Sequence, residues 1–485
     1  MPESAIVAAV RATAARVPAR IALVAGDQTL TYAELEQRAA AAAAHIAEQT
    51  RGDIVGLLFA NTPAFAWTFL GALWAGKTVA VLPTLAPPPL LKLMAAEAGL
   101  ASVLTSSELA ARLAEAGVTP LVADAIPSGL SRELPLANRT HAAAVLLYTS
   151  GTIGRPKAVA LSDQNILSNA EGSREAAGFG PDEVMLVILP LFHAYGLTVT
   201  LILPLMLGGT VVILERFVPR SVLQAIERHR VTCLVAVPSQ YRLLAKEPGQ
   251  ADAASLWMCI AGAERLSELV ARDFEARFGR PILEGYGATE AAPVISMNPL
   301  QAHRPGTVGR PLPNLRVTLR DDGRDLPIAE IGEICIEGPN VMLGYFNRPE
   351  ATAEKLINGV LLTGDRGFLD ADGYLHLAGR ADDMVKVAGE KIYPAEIERT
   401  IEQIDGVEEA AVVAIADEAH GAVLRAFVQP RPGALLTEPA LRAACRERLE
   451  AGKVPRSFVV VEQLPRSATG KLDKRALTAQ AARAK

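Results

Sequence analysis

The chain has 485 residues, half of them hydrophobic and 21% charged, with a net charge of −5. That length exceeds one core, so two or more domains are expected, and the composition is globular rather than disordered. A small negative balance excludes a nucleic-acid binder acting through bulk charge. Cys233, Cys259, Cys335 and Cys445 are far apart and form no C-x-x-C pair. Neither a disulfide framework nor a zinc cluster is implied, and a reducing cytosol fits best. Glu3, Arg11 and Arg16 interrupt any signal-peptide core.

In chain order, Gln28–Leu30 reads as a short strand, and Thr31 with Glu34 forms a capping box opening an alanine-rich helix. Strands at Asp53–Phe59, Thr78–Leu82, Ala101–Thr105 and Pro120–Ala123 alternate with helices at Pro63–Ala75 and Leu109–Ala116, and Pro87–Pro89 starts a turn. Such alternation predicts parallel sheet covered on both faces. Ser162 is the N-cap expected for a helix through Ala177. From Val184 to Leu214 there is no Asp, Glu, Lys or Arg, longer than the ~20 residues that span a bilayer. Pro190, His193, Gly196, Pro204, Gly208 and Gly209 break it, however, into strand, loop, helix (Gly196–Leu207) and strand, as in a buried α/β core. A helix at Ser221–His229, a strand at Thr232–Pro238, a helix at Leu266–Phe278 and a strand at Pro281–Glu284 follow.

From about Thr307 short β segments (Arg316–Arg320, Ile331–Glu337, Gly373–Ala378) predict a small antiparallel sheet or barrel. After Arg380 come a helix (Pro394–Ile404), two strands, a helix (Glu438–Leu449), a strand and a charged tail. The fold class expected is α/β. A large N-terminal domain, residues 1–380 and including a small β subdomain from about 307, precedes a small mobile α+β C-terminal domain, 381–485.

Residues Tyr148–Lys157 read YTSGTIGRPK after the buried-strand pattern Ala142–Leu147. Glycines 151 and 154 let successive N–H groups converge into an anion nest. Thr149, Ser150 and Thr152 add hydroxyl donors, and Lys157 adds a mobile positive charge. This is a polyphosphate grip, although G-x-x-x-x-G-K-[ST] is absent. The loop resembles the phosphate-loop signature of the adenylate-forming superfamily: acyl-CoA synthetases, luciferases and peptide-synthetase adenylation domains. Ile153 and Ala158 depart from the usual TSGTTGxPKG.

Further family motifs follow in order. Pro190–Leu197 (PLFHAYGL) is similar to the segment beside the substrate carboxylate, which implicates His193. It lacks the Asp that pairs with an amino group, so an uncharged acyl or aryl acid is favoured. Gly262, Ala263 and Glu264 resemble the adenine-flanking segment. In Gly285–Glu290 (GYGATE), Gly285 and Gly287 admit a ring or phosphate and Tyr286 offers a face to adenine. Thr289 offers a hydroxyl to the α-phosphate and Glu290 a hard oxygen for Mg²⁺. By resemblance, Asp365 of TGD and Arg380 approach the ribose, and Asp382 is the interdomain hinge. Gly389 lies on the pantetheine side, and Lys471 of PRSATGKL swings onto the reacting carboxylate and α-phosphate. Many relatives have two glycines where this chain has Ala388–Gly389.

The resemblance implies ATP, Mg²⁺ and CoA, or a carrier-protein phosphopantetheine, as cofactor and co-substrates. It implies acyl-adenylate formation with release of pyrophosphate, then transfer to a thiol. Alternatives are a carrier-protein ligase and a stand-alone adenylation enzyme with another acceptor. A luciferase-type oxygenase has no residue pattern in its favour. A nucleotide-binding pseudoenzyme is disfavoured by the presence of Lys157, Glu290 and Lys471. The expected partners are small molecules or an acyl carrier protein, with no nucleic acid and no transmembrane span, in the cytoplasm; oligomeric state is not legible.

Overall fold

The computed structural model describes residues 4–123, 137, 140–149, 156–380, 385–387, 390–417, 421–466 and 472–483. Two largely parallel sheets dominate the N-terminal part. The first has nine strands in the order Arg310–Pro311, Val294–Met297, Leu283–Gly287, Met258–Ala261, Cys233–Ala236, Val184–Val187, Thr210–Ile213, Ile21–Ala25, Gln28–Thr31. The second has seven, in the order Gly344–Tyr345, Lys157–Leu161, Val145–Thr149, Thr78–Val81, Ile54–Leu58, Val103–Thr105, Pro120–Val122.

Side chains alternate between faces along each strand, as a pleat requires. Leu23, Val187, Val211 and Ile213 of the first sheet share one core with Val79, Val81, Val145 and Leu147 of the second. Their neighbours Leu186, Val212 and Leu234 face an outer core under the helices Pro219–His229 and Glu268–Phe278. Between the sheets runs the helix Pro63–Trp74, buried along its whole length. A helix apolar on every side has no solvent face to present, so a central position is the one it can occupy. It packs on the helix Tyr32–Gln49 through Gly71, where an added Cβ would lie 2.6 Å from Ala42 Cβ. The alanine run of the sequence is therefore a close helix–helix contact.

Several expected features stand. Thr31 Oγ1 accepts from Glu34 N (3.2 Å) while Glu34 accepts from Thr31 N (2.7 Å), completing the capping box. Ser162 caps the helix Asp163–Ala177. The β subdomain is an antiparallel sheet built on Arg316–Asp321, Gly332–Glu337 and Val360–Leu369, with Leu375–Arg380 paired to the last. In the small C-terminal domain Val407–Asp417, Gly421–Pro430 and Ser457–Val460 form a sheet backed by the helices Pro394–Glu402 and Glu438–Arg446. No helix among the described residues is long and apolar enough to cross a membrane.

Other segments differ from expectation. Pro87–Pro89 does not merely turn: a helix begins at Pro88, because a first-turn proline lacks only an N–H that has no intrahelical partner anyway. The uncharged helix expected at Gly196–Leu207 is wound in two registers. Gly196–Ile202 is a π-helix, with Leu203 N bonded to Thr198 O, and Leu203–Leu207 is α-helical. Expected strand Pro281–Glu284 lies further on, at Leu283–Gly287. The charged tail ends in the helix Lys474–Arg483, and the helices Ala5–Arg16 and Pro238–Lys246 were not anticipated.

Replacing Gly71 by Val should lower stability by about 1–3 kcal/mol through overpacking against Ala42 and the Ala39 carbonyl. A fall in the urea midpoint is the expected result; an unchanged midpoint would show that the two helices can separate without loss.

Candidate active site

In an open α/β sheet, ligands gather outside the carboxyl ends of the strands. Val184–Val187, Cys233–Ala236, Met258–Ala261 and Leu283–Gly287 are neighbouring parallel strands, and their carboxyl ends lead directly into the predicted segments. After the first, His193 N bonds to Pro190 O (3.0 Å) and its exposed ring lies 4.6 Å from that of Phe192. The π-helix begins three residues later, a winding frequent at functional sites. After the third strand, Ala263 takes a positive φ of 68° and Glu264 accepts from Ser239 N at 3.3 Å. Gly262 lies against Tyr195, whose Cε1 would be 3.1 Å from an added Cβ.

The fourth strand carries Tyr286 and Gly287 into the short 3₁₀ turn Thr289–Ala291, after which Val294–Met297 returns antiparallel. Gly287 is demanded by the protein itself, since a Cβ there would stand 2.4 Å from Pro293 O. Asn169, buried on the helix Asp163–Ala177, pins the turn. Its Nδ2 donates to Ala291 O (3.1 Å) and Val294 O (2.8 Å), and its Oδ1 accepts from Val294 N (3.2 Å). One helical turn earlier, Asn165 Nδ2 donates to Pro339 O (2.8 Å) and Val341 O (2.7 Å). That segment closes on the turn through Met342 N to Glu290 O at 2.9 Å.

Two polar clusters leave this turn. In the first, Tyr286 donates its hydroxyl to Asp365 Oδ2 at 2.6 Å, and Asp365 pairs in register with Arg380, whose Nε is 3.6 Å from Oδ1. Burial holds the Asp365 carboxyl above its usual range, opposed by the Tyr286 hydroxyl, Arg380 and Lys355. Tyr286 is itself buried, and burial followed by the Asp365 charge pushes its hydroxyl well up, so it stays a donor. In the second cluster, Tyr345 donates to Glu290 Oε1 at 2.8 Å while Lys157 Nζ lies 4.9 Å over the Tyr345 ring. Glu290 acts electrostatically on Asp365, and Arg380 on Tyr345, so the clusters share one field.

Lys157 opens a strand rather than ending a loop. Val145–Thr149 and Lys157–Leu161 pair antiparallel, with Thr149 opposite Lys157, so the two ends of the phosphate-loop sequence lie side by side. Ser150, Gly151, Thr152, Gly154, Asp382, Gly389 and Lys471 lie outside the described residues. Thr149, Lys157, Gly262, Ala263, Glu264, Gly285, Tyr286, Gly287, Thr289, Glu290, Asp365, Arg380 and His193 are all described. Direct contacts join Lys157 to Glu290 through Tyr345, and Tyr286 to Asp365 and Arg380. Tyr345, Asn165 and Asn169 have no counterpart in the sequence reading. Only the asparagine at the third position after the Ser162 cap hinted at any of them.

A magnesium ion fits the donors present. It takes one or two carboxylates and draws its remaining ligands from phosphates and water. Glu290 supplies one such carboxylate, half-buried and with Oε1 held by Tyr345. No group of three or more His, Cys, Asp or Glu side chains that could hold a metal occurs among the described residues.

Glu284, just before the motif, is buried and accepts from Leu266 N at 3.1 Å. Burial raises its carboxyl to about 7, against lowering by that N–H, Arg399 and Arg265. A folded pKa above the unfolded value near 4.5 gives stability present in full below 4.5 and lost as pH rises through about 7. Glu284→Gln should therefore flatten the decline of the urea midpoint between about pH 5 and pH 8. An equal decline in both proteins would contradict the assignment.

The family model for AMP-binding enzymes matches residues 10–346, and that for the AMP-binding enzyme C-terminal domain matches 396–471. A sulfoacetate–CoA ligase of Cupriavidus necator is 36% identical over 87% of this chain and 86% of its own. A feruloyl-CoA synthase of an Amycolatopsis species is 36% identical over 92% and 93%. A crystal structure of ATP-bound MatB from Rhodopseudomonas palustris superposes with a TM-score of 0.89 at 29% identity, covering 99% of both chains. ATP, Mg²⁺ and CoA are the cofactor and co-substrates of such ligases. By model match, coverage and fold, the chain belongs to the AMP-binding enzyme family, as an ATP-dependent, AMP-forming ligase that activates a carboxylic acid and passes it to the thiol of CoA.

Proposed function

We propose that the acid is an uncharged acyl or aryl acid rather than an amino acid, and that residues 1–380 bind it with ATP while residues 381–485 act as a mobile lid. The observation that carries this reading is the convergence of Lys157, Glu290, Tyr286, Asp365 and Arg380 beside a His193 segment with no carboxylate of its own. Fatty-acid metabolism is one setting, and the cytoplasm the compartment, for a chain whose four cysteines are all buried and free.

Joining a carboxylate to the α-phosphorus of ATP brings like charges together. At ~4 Å and an effective dielectric of ~20 the repulsion is roughly 4 kcal/mol per pair. The chain's contribution is neutralisation and alignment, with no general base required. Lys157 and the hydroxyls of Thr149, Ser150 and Thr152, with the N–H groups at Gly151 and Gly154, grip the phosphates. Thr289 donates to the α-phosphate, and Glu290 would hold the magnesium ion. When bound, that ion offsets phosphate charge. Gly262, Ala263, Glu264, Gly285, Tyr286 and Gly287 border the adenine, while Asp365 and Arg380 fix the ribose. His193 lies at the carboxylate. Lys471 is delivered to the reacting oxygens, and the carboxylate then displaces pyrophosphate to leave acyl-AMP. Rotation about Asp382 next withdraws Lys471 and brings the Gly389 loop to the thiol, which displaces AMP.

Two variants separate the half-reactions. Lys471→Ala should slow ATP–pyrophosphate exchange by about 10²–10³-fold yet largely spare thioester formation from supplied acyl-AMP. Equal loss of both would contradict its role. Asp382→Pro should spare exchange and cripple thioester formation; lost exchange would count against the hinge. Run with CoA and with a phosphopantetheinyl carrier protein, the second assay should give thioester on CoA, and thioester formed on the carrier alone would contradict CoA as the acceptor.

A further inference from the structure

Lys157 and Glu290 carry opposite charges, and both contact Tyr345. A direct ion pair would neutralise the lysine and occupy the carboxylate. Tyr345 contacts each in a different way. Its ring faces the ammonium at 4.9 Å, a cation–π contact that holds a cation without cancelling its charge. Its hydroxyl donates to Glu290 Oε1 at 2.8 Å, a charge-assisted bond that fixes the carboxylate.

The tyrosine is itself firmly held. Only 7% exposed, it pairs across the strand with Val159, two residues from Lys157, and its N–H donates to Thr352 Oγ1 at 2.9 Å. Glu290, in contrast, sits on a three-residue turn, whose side chain would otherwise sample several rotamers.

We propose that Tyr345 is a positioning residue that aims the Glu290 carboxylate at the metal and keeps Lys157 beside it as an unneutralised cation. The inference rests on the reading of Glu290 as the magnesium ligand. Tyr345 thus ties the strand Lys157–Leu161 of one sheet to the strand-end turn of the other.

Three variants test this in the full chain, with α,β-methylene-ATP as nucleotide and Mn²⁺ as the metal probe, read by electron paramagnetic resonance. Tyr345→Phe keeps the ring and removes the hydroxyl. It should weaken Mn²⁺ about tenfold while nucleotide affinity without metal stays unchanged, as does the KM for the acid measured separately with ATP. Tyr345→Leu removes both contacts and should weaken nucleotide as well. Glu290→Gln should weaken Mn²⁺ by itself, and adding Tyr345→Phe to it should bring no further loss, because the two act as a unit. Wild-type Mn²⁺ affinity in Tyr345→Phe beside a weakened Glu290→Gln overturns the inference and leaves the Glu290 reading intact. Wild-type affinity in both overturns both. Circular dichroism of each variant separates a positioning effect from misfolding, and Tyr345→Phe supplies the conservative arm should Tyr345→Leu not fold.

Discussion

Negative charge crowded around one phosphorus atom is the constraint from which the architecture follows. The reaction needs little covalent help from protein groups, but it needs cations and donors held where oxygen atoms converge. Such groups lose their value if they relax fully onto one another, so each needs a neutral partner that fixes it as well. Tyr345 between Lys157 and Glu290 meets that need in one cluster, and Tyr286 on Asp365 meets it in the other.

Rigidity comes from the sheets. Four neighbouring parallel strands end on one edge, so the His193, Gly262–Glu264 and Tyr286–Glu290 segments are brought together by register rather than by loop length. Asn165 and Asn169, one turn apart on a single helix, hold the two returning segments by hydrogen bonds to backbone carbonyls. The C-terminal domain adheres differently. Arg265 pairs with Glu402, and Lys246 lies 3.1 Å from Glu408, so among the described residues ion pairs face this junction. Charged contacts of this kind separate more readily than packed side chains, which suits the rotation proposed for that domain.

What could be read in the sequence was local. The Thr31–Glu34 box and the Ser162 cap involve residues three apart, and both occur as expected. The glycine-bounded motifs also stood out, because turns and close approaches leave a mark on composition. Long-range relations did not show. Tyr345 meets Glu290 across 55 residues from a two-residue strand, too short to carry any period. Asn169 reaches Ala291 across 122 residues and is one unremarked polar residue of a helix in the sequence. Where the chain is apolar throughout, as in Pro63–Trp74, the type of element was legible and its central position was not, since no face distinguishes inside from outside. The winding of Gly196–Ile202 escaped for a related reason: uniform apolarity does not report the hydrogen-bond register.

The most direct test of carboxylate attack at the α-phosphorus is the fate of the acid's own oxygen. Turnover of a carboxyl-¹⁸O-labelled acid accepted by the enzyme, with ATP and CoA, should place one labelled oxygen in the AMP and none in the pyrophosphate. Label appearing instead in inorganic phosphate, together with ADP, would mean an acyl phosphate rather than an adenylate and would contradict the account.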